Sequence, residues 1–280
     1  LGLVGYAAIG ERLGRNARFA SIGNGFAAAA MGTFGYFYSS RAVFFVTAAL
    51  LAPTLFALTK IDGKEIISRA PSTPSVPTPS APEQHKSERR SRRGYSALLI
   101  FALCTALFQF ANAAMLPLVG SMVTMRSSDW ATALIAACIV VPQLVVAVFS
   151  PLVGRQAARW GRRPLLLLGY GALVIRGALF TSVANPFLLV AVQVLDGISA
   201  AVLGVLVPLI ITDVTRETGR LNLTQGAIGT AVGIGASLST PFAGYLTDRF
   251  GSFMAFAGMA ASAALGFLLV ALLMPETRPK

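Results

Sequence analysis

Charge is what this 280-residue sequence has least of: 12% of its residues are Asp, Glu, Lys or Arg, about half the share with which a soluble domain dresses its exterior. With 55% apolar residues and a mean hydropathy of +0.70, the chain has no water-soluble surface to offer, which excludes a cytosolic enzyme. Acid is scarcer still, 11 carboxylates against 23 basic residues, and the net charge is +12. The two cysteines, Cys104 and Cys138, lie in apolar stretches as small hydrophobes, without the spacing of a disulfide framework or a metal site. The one histidine, His85, stands in a polar segment with no second ligand near it, so neither a zinc site nor a catalytic histidine is expected. No glycine-rich run ends in the Lys-Ser/Thr that cradles phosphates, which argues against ATP-driven work. Paired carboxylates and a nucleophile with a base are also missing. No enzyme activity, cofactor or metal is expected.

What the sequence has instead is long apolar runs. Crossing about 30 Å of hydrocarbon takes about 20 residues, and eight runs are long enough: 19–38, 42–60, 95–118, 131–153, 165–184, 187–211, 224–246 and 253–274. Leu1–Gly10 is expected to be the end of a further helix, and the chain to begin inside a longer protein. The expected fold class is all-α, a polytopic membrane helix bundle with the lipid bilayer as its solvent. Most connectors are short, so sequential helices run antiparallel.

One connector differs. Residues 61–94 contain APSTPSVPTPSAP followed by EQHKSERRSRRG, too polar and proline-rich to cross, and read as a linker. Placing it in the cytoplasm puts nineteen basic residues on that side, against Arg41, Arg126 and Arg249 on the other, with Arg176 inside a span. This is the positive-inside pattern. It accounts for the high pI through topology anchors, and nucleic acid is not an expected partner. The linker and C-terminus are therefore expected in the cytoplasm of a bacterial inner-membrane protein.

A weak repeat points to two halves. Gly14-Arg15-Asn16, Ile22-Gly23 and Gly35-Tyr36 recur in order as Gly219-Arg220, Asn222, Ile228-Gly229 and Gly244-Tyr245. Between the second and third helices after the linker runs Gly154-Arg155-Gln156-Ala157-Ala158-Arg159-Trp160-Gly161-Arg162-Arg163. This resembles the signature cytoplasmic loop of the major facilitator superfamily of secondary transporters, here carried by Gly154, Arg155, Arg159, Gly161, Arg162 and Arg163. Ala158 stands where that signature has an acid, so the charge relay attributed to the loop cannot be complete. Gly244-Tyr245-Leu246-Thr247-Asp248-Arg249-Phe250-Gly251 echoes it at the opposite face, and Pro275-Glu276-Thr277 resembles a common ending of the last helix. The superfamily's antiporter signature ends in a Gly-Pro pair; Gly23, Gly25, Gly32 and Gly35 occur there without proline, so an antiporter is not implied. The resemblance implies a twelve-helix fold of two six-helix halves around a central cavity, working by alternating access. Residues 1–60 would then be the remnant of the first half (part of helix four, helices five and six), 61–94 the linker, and 95–280 the second half.

An ionisable group inside a span costs about 2.5–3.5 kcal/mol on insertion scales and points to function. Arg176 and Asp196 stand out, each ten residues from Pro186, so in a hairpin both lie about 15 Å from the turn, near the midplane. Asp196 could exchange protons or bind a cation, with Arg176 pairing to it or attracting an anion. A purely structural ion pair fits the same residues. Gln109 and Asn112, and Gln193 and Asp196, are spaced by three and share helix faces; Gln143 beside Pro142 completes the candidate lining. The expected function is secondary active transport of a small solute by a monomer, proton-coupled through Asp196, with uptake and efflux both open. The alternative is a non-transporting membrane sensor or scaffold whose linker recruits partners.

Overall fold

Hydrocarbon offers no partner to a backbone N–H or C=O, so an apolar chain must satisfy its peptide groups within helices. The computed structural model describes residues 8–60, 81–126, 130–215 and 220–278, and no strand occurs among them. In chain order the helices are α1 (Ile9–Phe37), α2 (Ser40–Ala49), α3 (Leu51–Thr59), α4 (Ala81–Asn112), α5 (Met115–Arg126), α6 (Ala131–Trp160), α7 (Arg162–Ser182), α8 (Pro186–Thr215) and α9 (Leu221–Leu273). Six stretches among the described residues are long and apolar enough to cross a bilayer: Arg41–Thr59, Ser96–Arg126, Ala131–Trp160, Arg162–Ser182, Pro186–Thr215 and Leu221–Leu273. The protein is an integral, multi-pass helical membrane protein.

The last stretch is two spans. At Gly251 the backbone leaves the helix (φ 83°, ψ 168°), and the chain folds back so that the Ser239 hydroxyl reaches the Met259 sulfur. Gly161, between α6 and α7, has nearly the same geometry (φ 92°, ψ 178°). These two glycines are the only described residues with positive φ, a region that a side chain disfavours. The two echoing motifs thus end in the same one-residue corner, one at each end of the bundle.

Another irregularity interrupts the span Ser96–Arg126. Pro117 has no N–H to offer Ala113, and its ring crowds that carbonyl, so the helix breaks between Asn112 and Met115. The Ala114 N–H is met from outside, donating to Ser239 Oγ of α9 at 2.9 Å. The core around this break is aromatic and sulfur-rich. Phe101, Met115, Tyr170, Phe180, Phe256 and Met259 are almost fully buried, and Tyr170 donates its hydroxyl to the Cys104 carbonyl at 2.5 Å. α4 packs on α9, α6 on α8, and α7 on both α8 and α9.

α1 runs against α6 with almost no side chain between them. A Cβ on Gly14 would collide with the Ser150 carbonyl, and one on Gly154 with the Gly10 carbonyl. Small residues that let two backbones touch are how membrane helices associate when burial in water supplies no force.

The helices depart from the predicted spans at several points. Ile9 and Gly10, predicted as the end of a separate helix, open α1, which carries Arg12, Arg15 and Arg18 past the predicted start at 19; Leu1–Ala7 lie outside the described residues. The predicted span 42–60 is divided at Leu50 into α2 and α3. Of the predicted linker, 61–80 lies outside the described residues, whereas the backbone from Ala81 onward is helical and continuous with α4. Pro82 is compatible with a first helical turn and no proline follows until Pro117. The signature segment is also less of a loop than expected, since α6 continues through Trp160 and only Gly161 forms the corner.

Replacing Gly154 by valine is expected to lower the unfolding temperature in detergent by separating α1 from α6, an overpacking loss of about 1–3 kcal/mol. Gly120→Ala, where a Cβ meets open space, should leave the melting curve unchanged.

Candidate functional site

The α7–α8 hairpin turns at Asn185-Pro186, where the Asn185 side chain accepts from the Phe187 N–H at 2.9 Å and Pro186 opens α8. Halfway down that hairpin Arg176 and Asp196 meet: Arg176 Nη1 lies 2.5 Å from Asp196 Oδ1. The same nitrogen donates to Asn112 Oδ1 at 2.6 Å, and the guanidinium carbon sits 5.5 Å from the centre of the Phe180 ring. Asn112 is the last residue of α4, so the break caused by Pro117 ends that helix at Arg176's partner.

Exposure divides the pair. Arg176 is 1% exposed and Asp196 23%, so the carboxylate reaches the edge of the packed core while the guanidinium stays inside. Gln193, one turn from Asp196 on α8, is fully buried, and among the described residues neither atom of its amide, nor Arg176 Nε, has a hydrogen-bond partner. The Cys138 thiol of α6 lies against Gln193 and within the field of Arg176. Four helices, α4, α6, α7 and α8, thus bring polar groups to one place. Gln109 is half-buried on α4 and in no described hydrogen bond of its side chain. The Gln143 Cβ lies beside Gly25 at the α1–α6 crossing.

A second polar cluster joins the end of α6, the start of α7 and the segment after α9. Gly161 precedes α7 and has no side chain with which to cap it. The cap comes from the other end of the chain: Glu276 accepts from the Arg162 N–H at 2.9 and 3.1 Å, from the Arg163 N–H at 3.1 Å and from the Arg278 N–H at 2.9 Å. A carboxylate at a helix N-terminus is held by both the free N–H groups and the helix dipole. Burial pushes the Glu276 carboxyl up, but those three backbone donors and the Arg162 charge outweigh it and hold the group below its ordinary range.

The arginines of the signature segment divide into two kinds. Arg162 is buried; its Nε lies 2.8 Å from Asp213 Oδ2, its Nη2 3.4 Å from Oδ1, and its Nη1 donates to the Ala157 carbonyl at 2.6 Å. Arg163 donates to the Ala271 carbonyl near the end of α9, and Arg278 to the Arg159 carbonyl near the end of α6 at 2.9 Å. Each cation lies where a helix C-terminus is negative. Arg155 and Arg159 stay exposed. Sequence reasoning missed Asp213, because the span was expected to end at 211; an acid inside the run Ile-Ile-Thr-Asp-Val-Thr was the available signal.

The profile of the Major Facilitator Superfamily matches residues 101–280. The chain belongs to the major facilitator superfamily. Two proteins named as uncharacterized MFS-type transporters of Mycobacterium tuberculosis, from strains CDC 1551 / Oshkosh and ATCC 25618 / H37Rv, are each 39% identical to it over 277 residues. That alignment covers 99% of this chain and 66% of either relative. The segment that resembles the superfamily's signature meets the Pro-Glu-Thr ending through Glu276.

A carboxyl held below its ordinary range stabilises the fold at neutral pH and loses that contribution as pH falls through the lowered value. Glu276→Gln is therefore expected to lower the melting temperature at pH 7 by the equivalent of about 1 kcal/mol, typical of a lost cap. The gap to the unsubstituted chain should close below the ordinary carboxylate range; a gap that persists unchanged in acid would contradict the capping role.

Proposed function

We propose that this protein is a secondary transporter of a small solute, embedded in a bacterial inner membrane with linker and C-terminus in the cytoplasm, and that it works by alternating access. The observation that carries the reading is the Arg176–Asp196 pair: opposite charges of unequal exposure, halfway across the bundle, beside unpartnered amide and guanidinium atoms. Membership of the superfamily, the mycobacterial relatives and the placement of the arginines support it.

The chemistry runs through Arg176. A guanidinium keeps its charge even when buried, so leaving it without an anion beside it is costly. While Asp196 is ionised it supplies that anion. Once Asp196, the more exposed partner, takes a proton, Arg176 is free to hold an anionic group of the solute, and Gln193 with Asn112 can bind its polar atoms. Loss of the proton restores the internal pair and expels the solute. Proton and solute are thereby coupled at one site, and the solute fitting it best carries an anionic group. Asp196→Asn is expected to abolish the dependence of solute flux on a pH gradient in proteoliposomes while leaving solute exchange measurable; flux that keeps its proton dependence would refute the coupling.

The second reading, a structural lock between α7 and α8, is favoured by the near-complete burial of Arg176. Replacing the pair together, as Arg176→Met with Asp196→Leu, separates the two, since well-packed apolar residues replace buried pairs with little change or a gain in stability. A folded double variant without flux supports the transport role; full flux supports the lock.

A further inference from the structure

Pro142 sits inside α6, and like Pro117 it has no N–H to offer the carbonyl four residues back, here that of Cys138. Gly197 of α8 packs directly on this point: a Cβ there would collide with Val145 and with the Pro142 carbonyl. α6 and α8 run parallel, each joined to α7 by a short turn. One helical turn back along both of them, Cys138 and Gln193 therefore come to the same crossing. The contact is made, since the Cys138 thiol lies against the Gln193 amide and within the field of Arg176.

Polar atoms from three helices thus converge without a protein partner. Neither atom of the Gln193 amide, nor Arg176 Nε, is hydrogen-bonded among the described residues, and the Cys138 carbonyl has lost its helical donor to Pro142. Gln193 is 0% exposed and Arg176 1%, so whatever meets these atoms sits inside the bundle and is small. Buried polar groups left unmet are costly, and where protein supplies no partner native structures supply ordered water. The chemistry of the set selects the occupant. Gln193 Oε1 and the Cys138 carbonyl accept, while Gln193 Nε2 and Arg176 Nε donate. A cation would face the guanidinium and an anion the two oxygens, whereas water both donates and accepts.

We infer that a water molecule is bound between α6, α7 and α8, held by the Gln193 amide, the Cys138 carbonyl and Arg176 Nε. It meets a different nitrogen of the guanidinium from Nη1, which bonds to Asp196 and Asn112, and its binding does not depend on transport. It gives Pro142 the remedy that Ser239 gives Pro117, a polar partner from outside the helix.

Two cysteines of nearly equal burial provide the test. Cys138 is 2% exposed and touches the site; Cys104 is 1% exposed, and its carbonyl already accepts from Tyr170. Pulsed X-ray radiolysis of the full chain in detergent splits bound as well as bulk water, the hydroxyl radical oxidises the side chain beside it, and mass spectrometry reads each cysteine. Cys138 is expected to oxidise about tenfold faster than Cys104, a comparison that needs no variant. Gln193→Met, which keeps the bulk and removes both polar atoms, should bring Cys138 down to the rate of Cys104. A water-soluble maleimide should leave both thiols unmodified over the same interval. Equal rates in the unsubstituted chain, or a Cys138 rate untouched by Gln193→Met, would overturn the proposal. So would maleimide reaction at Cys138, which would make the site part of an open cavity, or a rate that changes when chloride replaces gluconate, which would make the occupant an anion.

Discussion

A charge in hydrocarbon must find its counterpart within the protein, and Arg176 is where this chain meets that demand. The guanidinium is buried, yet its partners come from three directions: Asp196 on α8, Asn112 at the broken end of α4, and the Phe180 ring one turn along its own helix. Removing Asp196 would leave a buried cation without its counter-charge, so one side chain ties α7 to α8 and, through Asn112, to α4. The same rule applied to the backbone explains why the break at Pro117 is tolerated. The N–H freed there is returned to a partner by Ser239.

The helix ends around Gly161 obey a related electrostatic rule. Four orphan N–H groups open every helix and four orphan carbonyls close it, and here the termini satisfy one another. Glu276, just past the last helix, caps α7, while Arg162, Arg163 and Arg278 reach the closing carbonyls of α6 and α9. The missing acid at Ala158 does not leave the segment without a carboxylate, because Asp213 and Glu276 both bond to Arg162. The signature segment is thus held by residues 51 and 114 positions further along the chain.

Much of this was legible without coordinates, because it depends on composition and on position along a helix. Scarce charge and long apolar runs announce membrane helices. Equal distance from Pro186 placed Arg176 and Asp196 at one depth. Equal depth does not decide contact, however: Asn112 bonds to Arg176, a pairing that position along the helix could not give. The exact extent of the helices was also hidden, since arginines within α1 look like a loop when read against hydropathy alone.

By itself, then, the sequence determined that the chain spans lipid repeatedly and that two opposite charges lie at one depth within it, because each follows from the cost of moving groups out of water and from helical rise. Only the tertiary structure decided which polar groups touch. Asn112 beside Arg176, Glu276 capping α7, Asp213 bonded to Arg162 and Gly14 touching Ser150 all join residues far apart in the chain. No periodicity encodes such pairings, because they depend on how rigid helices rotate and cross when their side chains pack.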